Sequence, residues 1–121
     1  MKRRQFIAGA ATVLIGANSH AQAKPQRIRI GQIGLAHPHA LGKLKAIQSL
    51  PEVYKLVGVV EPDSSLRKRA KGVNFVSMEQ LMNAKGLQAV AIETRVKNLT
   101  TTALPVVEGG MHIHLDKPAG P

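Results

Sequence analysis

Three groups of residues have side-chain types and spacings that are typical of sites that bind a cofactor or a metal ion. In the first group, Gly34, Ala36 and His39 directly follow an apolar segment. Their spacing is that of the Gly-x-Gly-x-x-Gly turn with which α/β proteins bind the pyrophosphate of a dinucleotide. Gly34 satisfies the tight turn, Ala36 adds one methyl group where the backbone approaches the phosphates, and His39 replaces the glycine at which helix and strand pack closely. A plain strand–turn–helix without a ligand is the alternative interpretation.

The second group is the carboxylate of Glu61, which ends an apolar stretch 27 residues after Gly34. A carboxylate at this point accepts hydrogen bonds from both ribose hydroxyls and repels a 2′-phosphate, which favours NAD over NADP. A basic cluster one helix further on, residues 67–69, keeps NADP open as the cofactor. Alternatively, Glu61 is a turn residue that caps the next helix.

The third group consists of two His-x-His pairs, His37 with His39 and His112 with His114. Paired imidazoles bind zinc in many proteins. The chain has no Cys, and no Asp or Glu cluster stands beside either pair in the sequence. The expected sheet also separates the pairs by one strand, roughly 10 Å. We therefore predict no metal site and assign these histidines to structural roles.

The elements that must position these residues alternate between strand and helix. The apolar patterns predict strands at 27–33, 55–60, 74–76, 89–92 and 111–115. Helices are predicted between them, after Pro38 to 49, at 64–71, from the capping box at Ser77 to 83, and at 100–108. Because each parallel return needs a crossover helix, we predict a doubly wound, Rossmann-like α/β sheet of about five strands in the order 3-2-1-4-5. Ligands of such sheets bind at the carboxyl ends of the strands.

The sequence before the first strand has a different character. Basic residues at 2–4 precede an uncharged apolar run at 7–17, and Ala-Gln-Ala at 21–23 matches a cleavage site. This order predicts a signal peptide over 1–23 and a linker over 24–26, hence export to the periplasm or the cell exterior. The apolar run is shorter than the about 20 residues that span a bilayer as a helix.

The arginine pair Arg3-Arg4 is similar to that of a twin-arginine signal, which serves proteins exported already folded. Lys2 stands where Ser or Thr is common, so an ordinary Sec signal stays open.

Composition narrows the classes of function. A chain of 121 residues has room for one domain, and 44% hydrophobic residues are typical of a packed globule. The absence of Cys excludes disulfides, thiolate metal sites and a Cys nucleophile. A net charge of +10 suits an anionic partner, but three aromatic residues provide no base-stacking surface. We therefore interpret the basic cluster as a solvated helix face and expect no nucleic-acid partner.

From residue 27 to residue 120 the chain resembles the N-terminal NAD(P)-binding domain of the Gfo/Idh/MocA family of oxidoreductases. The resemblance rests on the turn at 33–36, on the acidic residue of 59–63, and on the segment 108–118. That segment, Glu-Gly-Gly-Met-His-Ile-His-Leu-Asp-Lys-Pro, is similar to the family signature Gly-x-His-Val-x-x-Glu-Lys-Pro. Thr94 matches the family's Thr-Pro-x-x-x-His loop, although Arg95 and Leu99 replace its Pro and His.

The resemblance implies roles for individual residues. Lys117 would be catalytic, reaching the nicotinamide ribose and the reacting carbon, with Asp116 beside that ribose and Thr94 as a further cofactor contact. The predicted cofactor-binding set is Gly34, Ala36, His37, His39, Glu61, Thr94, Asp116 and Lys117, and the predicted cofactor is NAD, with NADP as the alternative.

The implied activity is hydride transfer between the nicotinamide and a sugar or polyol. The family's second domain, which holds the substrate, has no counterpart in these 121 residues, so we expect a truncated form of a protein that is a candidate homo-oligomer at full length. An NAD-dependent glycoside hydrolase and a non-catalytic nucleotide-binding fragment remain as alternatives.

Overall fold

A parallel sheet of four strands forms the centre of the protein. The structure, a computed structural model, describes residues 26–118, so the predicted signal peptide lies outside the described residues. The strands stand in the order β2-β1-β3-β4 and pair in parallel throughout. They are β1 (Ile28–Ile33), β2 (Tyr54–Val60), β3 (Ala89–Ile92) and β4 (His112–Leu115). The predicted Rossmann-like fold is confirmed.

Four α-helices connect the strands, as predicted: α1 (Ala40–Gln48), α2 (Ser64–Arg67), α3 (Met78–Met82) and α4 (Leu99–Glu108), the last preceded by a 3₁₀ turn at Val96–Asn98. Helix α2 is four residues long, shorter than the predicted 64–71, and none of its residues is buried. In this basic segment only Leu66 and Ala70 are partly buried against the core, so little packing energy is available to extend the helix, and it ends early. No helix within residues 26–118 is long and apolar enough to cross a membrane.

The predicted third strand is reduced to one bridge. Phe75 pairs in parallel with Val59 of β2, through hydrogen bonds of 2.9 Å from Val59 N–H to Asn74 C=O and 3.0 Å from Val76 N–H to Val59 C=O. Three residues between a glycine-containing turn and a helix cap are too few for a longer ladder. The bridge lies on the outer side of β2, so the order 3-2-1-4-5 holds with a rudimentary third member.

The two faces of β1 pack against different layers, as its alternation predicts. Ile33 belongs to the larger core, which includes Leu81 of α3 and Val106 of α4. Ile30 belongs to a smaller cluster with Ile47 of α1 on the opposite face. The sheet is thus covered on both sides, and its carboxyl edge is held between two helical layers.

The start of α3 confirms the predicted capping box. The Gln80 N–H donates to Ser77 Oγ at 3.0 Å, and the Ser77 N–H donates to Gln80 Oε1 at 2.8 Å. This reciprocal cap holds Leu81 in place, and its side chain is fully buried beneath β1.

Candidate functional site: a nucleotide cleft and an adjoining acid–histidine cluster

A cleft of about 280 Å³ opens at the carboxyl edge of the sheet. Its walls come from the segments that follow β1, β2 and β3, which parallel pairing brings to one edge. Four of the predicted cofactor-binding residues line it together: Gly34, Ala36, Glu61 and Thr94.

Gly34 forms the tight turn at the floor of this cleft. Its φ is +99°, and its N–H donates to the Val60 carbonyl at 2.8 Å. A Cβ at this position would lie 2.7 Å from the carbonyl carbon and oxygen of Glu93 and from the Thr94 nitrogen. Only glycine fits a turn that passes so close to the end of β3.

Glu61 is buried beside this turn, and its carboxylate has protein partners. Oε1 accepts a hydrogen bond from the Leu35 N–H at 2.8 Å, and Oε2 accepts one from the Asp63 N–H at 3.0 Å. Each oxygen retains a second lone pair, so these bonds leave acceptor capacity for a ligand. Glu61 therefore fixes the turn, and its role toward a ribose stays a prediction.

Asp63 is a second carboxylate on the wall of the cleft, and it was not among the predicted site residues. Its side chain accepts hydrogen bonds from the hydroxyl and the N–H of Ser65, which makes Asp63 the N-cap of α2. Those bonds hold the pKa of Asp63 below its usual range. The cleft thus contains two acidic groups, one buried and one exposed.

The other four predicted residues meet on the far side of the turn. His37 is buried, its Nε2 lies 2.9 Å from the Lys117 carbonyl, and its Nδ1 accepts from the His39 N–H at 3.0 Å. These contacts require the neutral ring with its proton on Nε2. The ring of His39 lies 3.2 Å from Asp116 Oδ1, and the same oxygen accepts from the Lys117 N–H at 2.9 Å.

Lys117 is therefore fixed through its backbone on both sides, because its N–H and its C=O are both hydrogen-bonded. Its own side chain is exposed. The residue offers a free ammonium group from a firmly held backbone.

The sequence shows no Asp or Glu cluster beside either histidine pair, but the fold brings carboxylates to members of both pairs. The absence of a metal site stays a prediction. Asp116 lies with His37 and His39, and it also lies with Glu93 and His114, where the ligand atoms are within 4.8 Å of one another. Glu93 follows β3 and Asp116 follows β4, so parallel pairing places the two carboxylates side by side although 23 residues separate them in sequence. The polar residue directly after the apolar run 89–92 was the available signal for Glu93.

The two carboxyl groups have opposite pKa shifts. Complete burial, followed by the neighbouring Asp116 carboxylate, raises the pKa of Glu93 to about 8. Burial also opposes ionisation of Asp116, but the adjacent Glu93 carboxyl, the Lys117 N–H and the His39 ring hold its pKa well below its usual range. At neutral pH the pair therefore has one proton, on Glu93.

No protein-family model matches the chain, and no curated protein matches it. Among solved structures, the chain is similar to a protein from Erwinia carotovora atroseptica that is described as an oxidoreductase. The identity is 28% and the TM-score is 0.66 over 76% of this chain. It is also similar to the WlbA dehydrogenase of Chromobacterium violaceum, solved with NADH and UDP-GlcNAcA, with 20% identity and a TM-score of 0.67 over 79% of this chain. The alignments cover 28% and 29% of those proteins.

The order of the strands and the glycine turn at the carboxyl edge define a Rossmann-type domain. The solved neighbours are oxidoreductases of the Gfo/Idh/MocA type, and this chain corresponds to their N-terminal domain. The resemblance drawn from the sequence is thereby confirmed. The chain spans less than a third of the length of these neighbours.

Proposed function

We propose that this chain is the NAD(P)-binding domain of an oxidoreductase that transfers a hydride between the nicotinamide and a sugar or polyol. The main support is the Gly34 turn, where any side chain would collide with the backbone after β3. Such a turn lets a pyrophosphate approach the main chain closely. Solved neighbours are described with NADH or as NADPH-dependent, and two WlbA dehydrogenases with the sugar nucleotide UDP-GlcNAcA.

The residues of the cleft fit such a cofactor. The backbone at Gly34 and Ala36 would hold the pyrophosphate, and Glu61, with its remaining lone pairs, would accept the ribose hydroxyls of the adenosine half. Thr94 lines the same cleft next to the turn and would contact the cofactor from the β3 side. The bound cofactor supplies the hydride chemistry at its nicotinamide ring.

Lys117 would act on the substrate hydroxyl. Its exposed ammonium group stabilises negative charge on that oxygen or helps to move its proton. His37 and Asp116 act as positioning residues, because they bind the Lys117 backbone on its two sides. This arrangement fixes the origin of the side chain while its end remains free to reach a ligand.

Calorimetric titration with NADH and NADPH tests the cofactor assignment, with Glu61→Gln as the variant. Removing the charge should weaken NADH binding several-fold and improve NADPH binding relative to NADH, because repulsion of the 2′-phosphate is lost. A purely structural role of Glu61 would lower both affinities alike. Asp63→Asn is the matched control, since it removes the exposed carboxylate of the same cleft. A change in the NADPH-to-NADH ratio for Asp63→Asn alone would move the ribose assignment to Asp63.

The role of Lys117 is tested by separating affinity from turnover. In a form that includes a substrate domain, Lys117→Ala should lower kcat far more than it lowers NADH affinity. Equal losses in both quantities would show a binding residue. Lys97→Ala provides the control, because Lys97 is an exposed lysine on the 3₁₀ turn after β3.

We also propose that the protein is exported, on the support of the basic, apolar and Ala-x-Ala zones in residues 1–23. Fusing these residues to a reporter that is active only outside the cytoplasm tests the proposal. Replacing Arg3-Arg4 by Lys-Lys should abolish export if the twin-arginine route is used and should leave Sec-dependent export intact.

A further inference from the structure

We propose that Glu93, His114 and Asp116 bind a divalent transition-metal ion of the Zn²⁺ type, beside the nucleotide cleft. The ligand atoms of these three side chains lie within 4.8 Å of one another. The site is separate from the Gly34 cleft, which opens on the other side of the turn.

The sheet itself places the three residues together. In the β3–β4 ladder Ala91 pairs with His114 and Ile92 with Leu115, which sets Glu93 opposite Asp116 one step further. Because side chains alternate along a strand, positions 91 and 93 and positions 114 and 116 share one face, the face that α1 covers. The ligand set thus depends on strand register, which makes it rigid.

Unpartnered buried oxygens point to a ligand at this place. Both carboxyl oxygens of Glu93 and Oδ2 of Asp116 are buried without a hydrogen-bond partner. These are three of the four buried side-chain polar atoms in residues 26–118 that have no partner. The Glu93 side chain is fully buried, so water does not reach it from bulk solvent. Buried polar atoms are nearly always satisfied. The proton on Glu93 can join at most one oxygen of each carboxyl group, whereas a cation that displaces this proton would be shared by all three oxygens.

The neighbouring histidines have other roles. Both ring nitrogens of His37 are engaged, one with the Lys117 carbonyl and one with the His39 N–H, so His37 cannot donate a lone pair to an ion. His39 binds Asp116 Oδ1, the oxygen opposite the unpartnered Oδ2. It would orient this carboxylate toward the ion, as the outer partners of metal ligands commonly do.

The donor set selects the class of ion. One imidazole and two carboxylates suit Zn²⁺ and its first-row neighbours, with water in an open position. Bonds of about 2.1 Å in a tetrahedron place ligand atoms about 3.4 Å apart, so the side chains must close by up to about 1.4 Å on binding. Lys43 contacts His114 Nε2 and supplies a positive charge at the same place. Its flexible ammonium group would have to leave and therefore competes with the ion.

Titration of the chain with Co²⁺, followed by its visible absorption bands, and with Zn²⁺ by calorimetry tests the proposal. One ion should bind, and Glu93→Gln, which retains the size of the side chain, should weaken binding by at least about 30-fold. His112→Ala is the matched control, because His112 is exposed on the same face of β4 two residues before His114. The affinity of the His112→Ala variant for Co²⁺ should equal that of the unaltered chain.

Lys43→Met provides an independent test, because removal of the competing positive charge should tighten Co²⁺ binding several-fold. His114→Ala should remove the imidazole contribution to the Co²⁺ spectrum, and circular dichroism verifies that each variant is folded. Absence of a Co²⁺ spectrum, equal affinities for Glu93→Gln and His112→Ala, or no gain in Lys43→Met would each overturn the assignment. None of these results depends on binding of NAD.

Discussion

Gly34→Ala should be severely destabilising, and the structure supplies two separate reasons. A φ of +99° costs a non-glycine residue about 1–3 kcal/mol. In addition, the new Cβ would lie 2.7 Å from three backbone atoms of Glu93 and Thr94, which cannot rotate away as a side chain would. Overpacking of this kind costs about 1–3 kcal/mol more. The sum, about 4 kcal/mol, is a large part of the about 5–15 kcal/mol that stabilises a domain.

Urea denaturation followed by circular dichroism measures this loss directly. For a domain of this size about 4 kcal/mol corresponds to a fall in Tm of about 15–30 °C. Two other glycines separate the contributions. Gly72 has a φ of +71°, and no atom lies within 4 Å of the point that a Cβ would occupy, so Gly72→Ala should show the backbone cost alone, about 1 kcal/mol. Gly42 lies in α1 with open space around it, and Gly42→Ala should stabilise by up to about 1 kcal/mol. If Gly34→Ala lowers the free energy of unfolding no more than Gly72→Ala does, the close approach of Gly34 to the end of β3 is wrong.

Three further outcomes follow from the fold and the cluster. Ser77→Ala removes the Oγ that accepts from the Gln80 N–H, while the Ser77 N–H can still donate to Gln80 Oε1, and it should cost about 1 kcal/mol in urea denaturation; no loss would contradict the cap. Leu81→Ala leaves a cavity under β1 and should cost about 2–5 kcal/mol in the same assay, and a cost below about 1 kcal/mol would show that α3 does not seal the core. The pKa of Glu93 is raised from 4.5 to about 8 in the folded protein, so between these pH values the folded protein holds a proton that the unfolded chain has lost. In chelator-treated buffer the free energy of unfolding should therefore fall by up to about 5 kcal/mol as pH rises from about 4.5 to about 8. Glu93→Gln should flatten this slope, and an unchanged slope would assign it to other groups.

Much of the fold could be predicted because its patterns are local. The apolar run 89–92 coincides with β3, and the capping box starts α3 where the sequence places it. The short elements could not be predicted as well. The segment 74–76 forms a single bridge, and α2 stops at Arg67, because their extent depends on packing partners and not on their own propensities.

The candidate site likewise contains residues that could be predicted from the sequence and residues that could not. Gly34 and Glu61 are visible in sequence because a turn residue and a strand-end acid stand at regular distances. Glu93 and Lys43 were missed because their neighbours are distant in sequence: Glu93 lies beside Asp116 only when β3 pairs with β4, and Lys43 contacts His114, 71 positions further on. Spacing along a chain does not reveal which buried oxygens remain without partners.

The link between the His37 ring and the Lys117 carbonyl has a consequence for biosynthesis. The two residues are 80 positions apart, whereas β1 finds its first strand partner, β2, about 26 positions away. During translation, the N-terminal half can therefore assemble while His37 still lacks its acceptor, because the ribosome tunnel retains the last residues made. Lys117 and the ring that binds its carbonyl come together only after synthesis has passed this point, so this part of the candidate site is the last region of the domain to form.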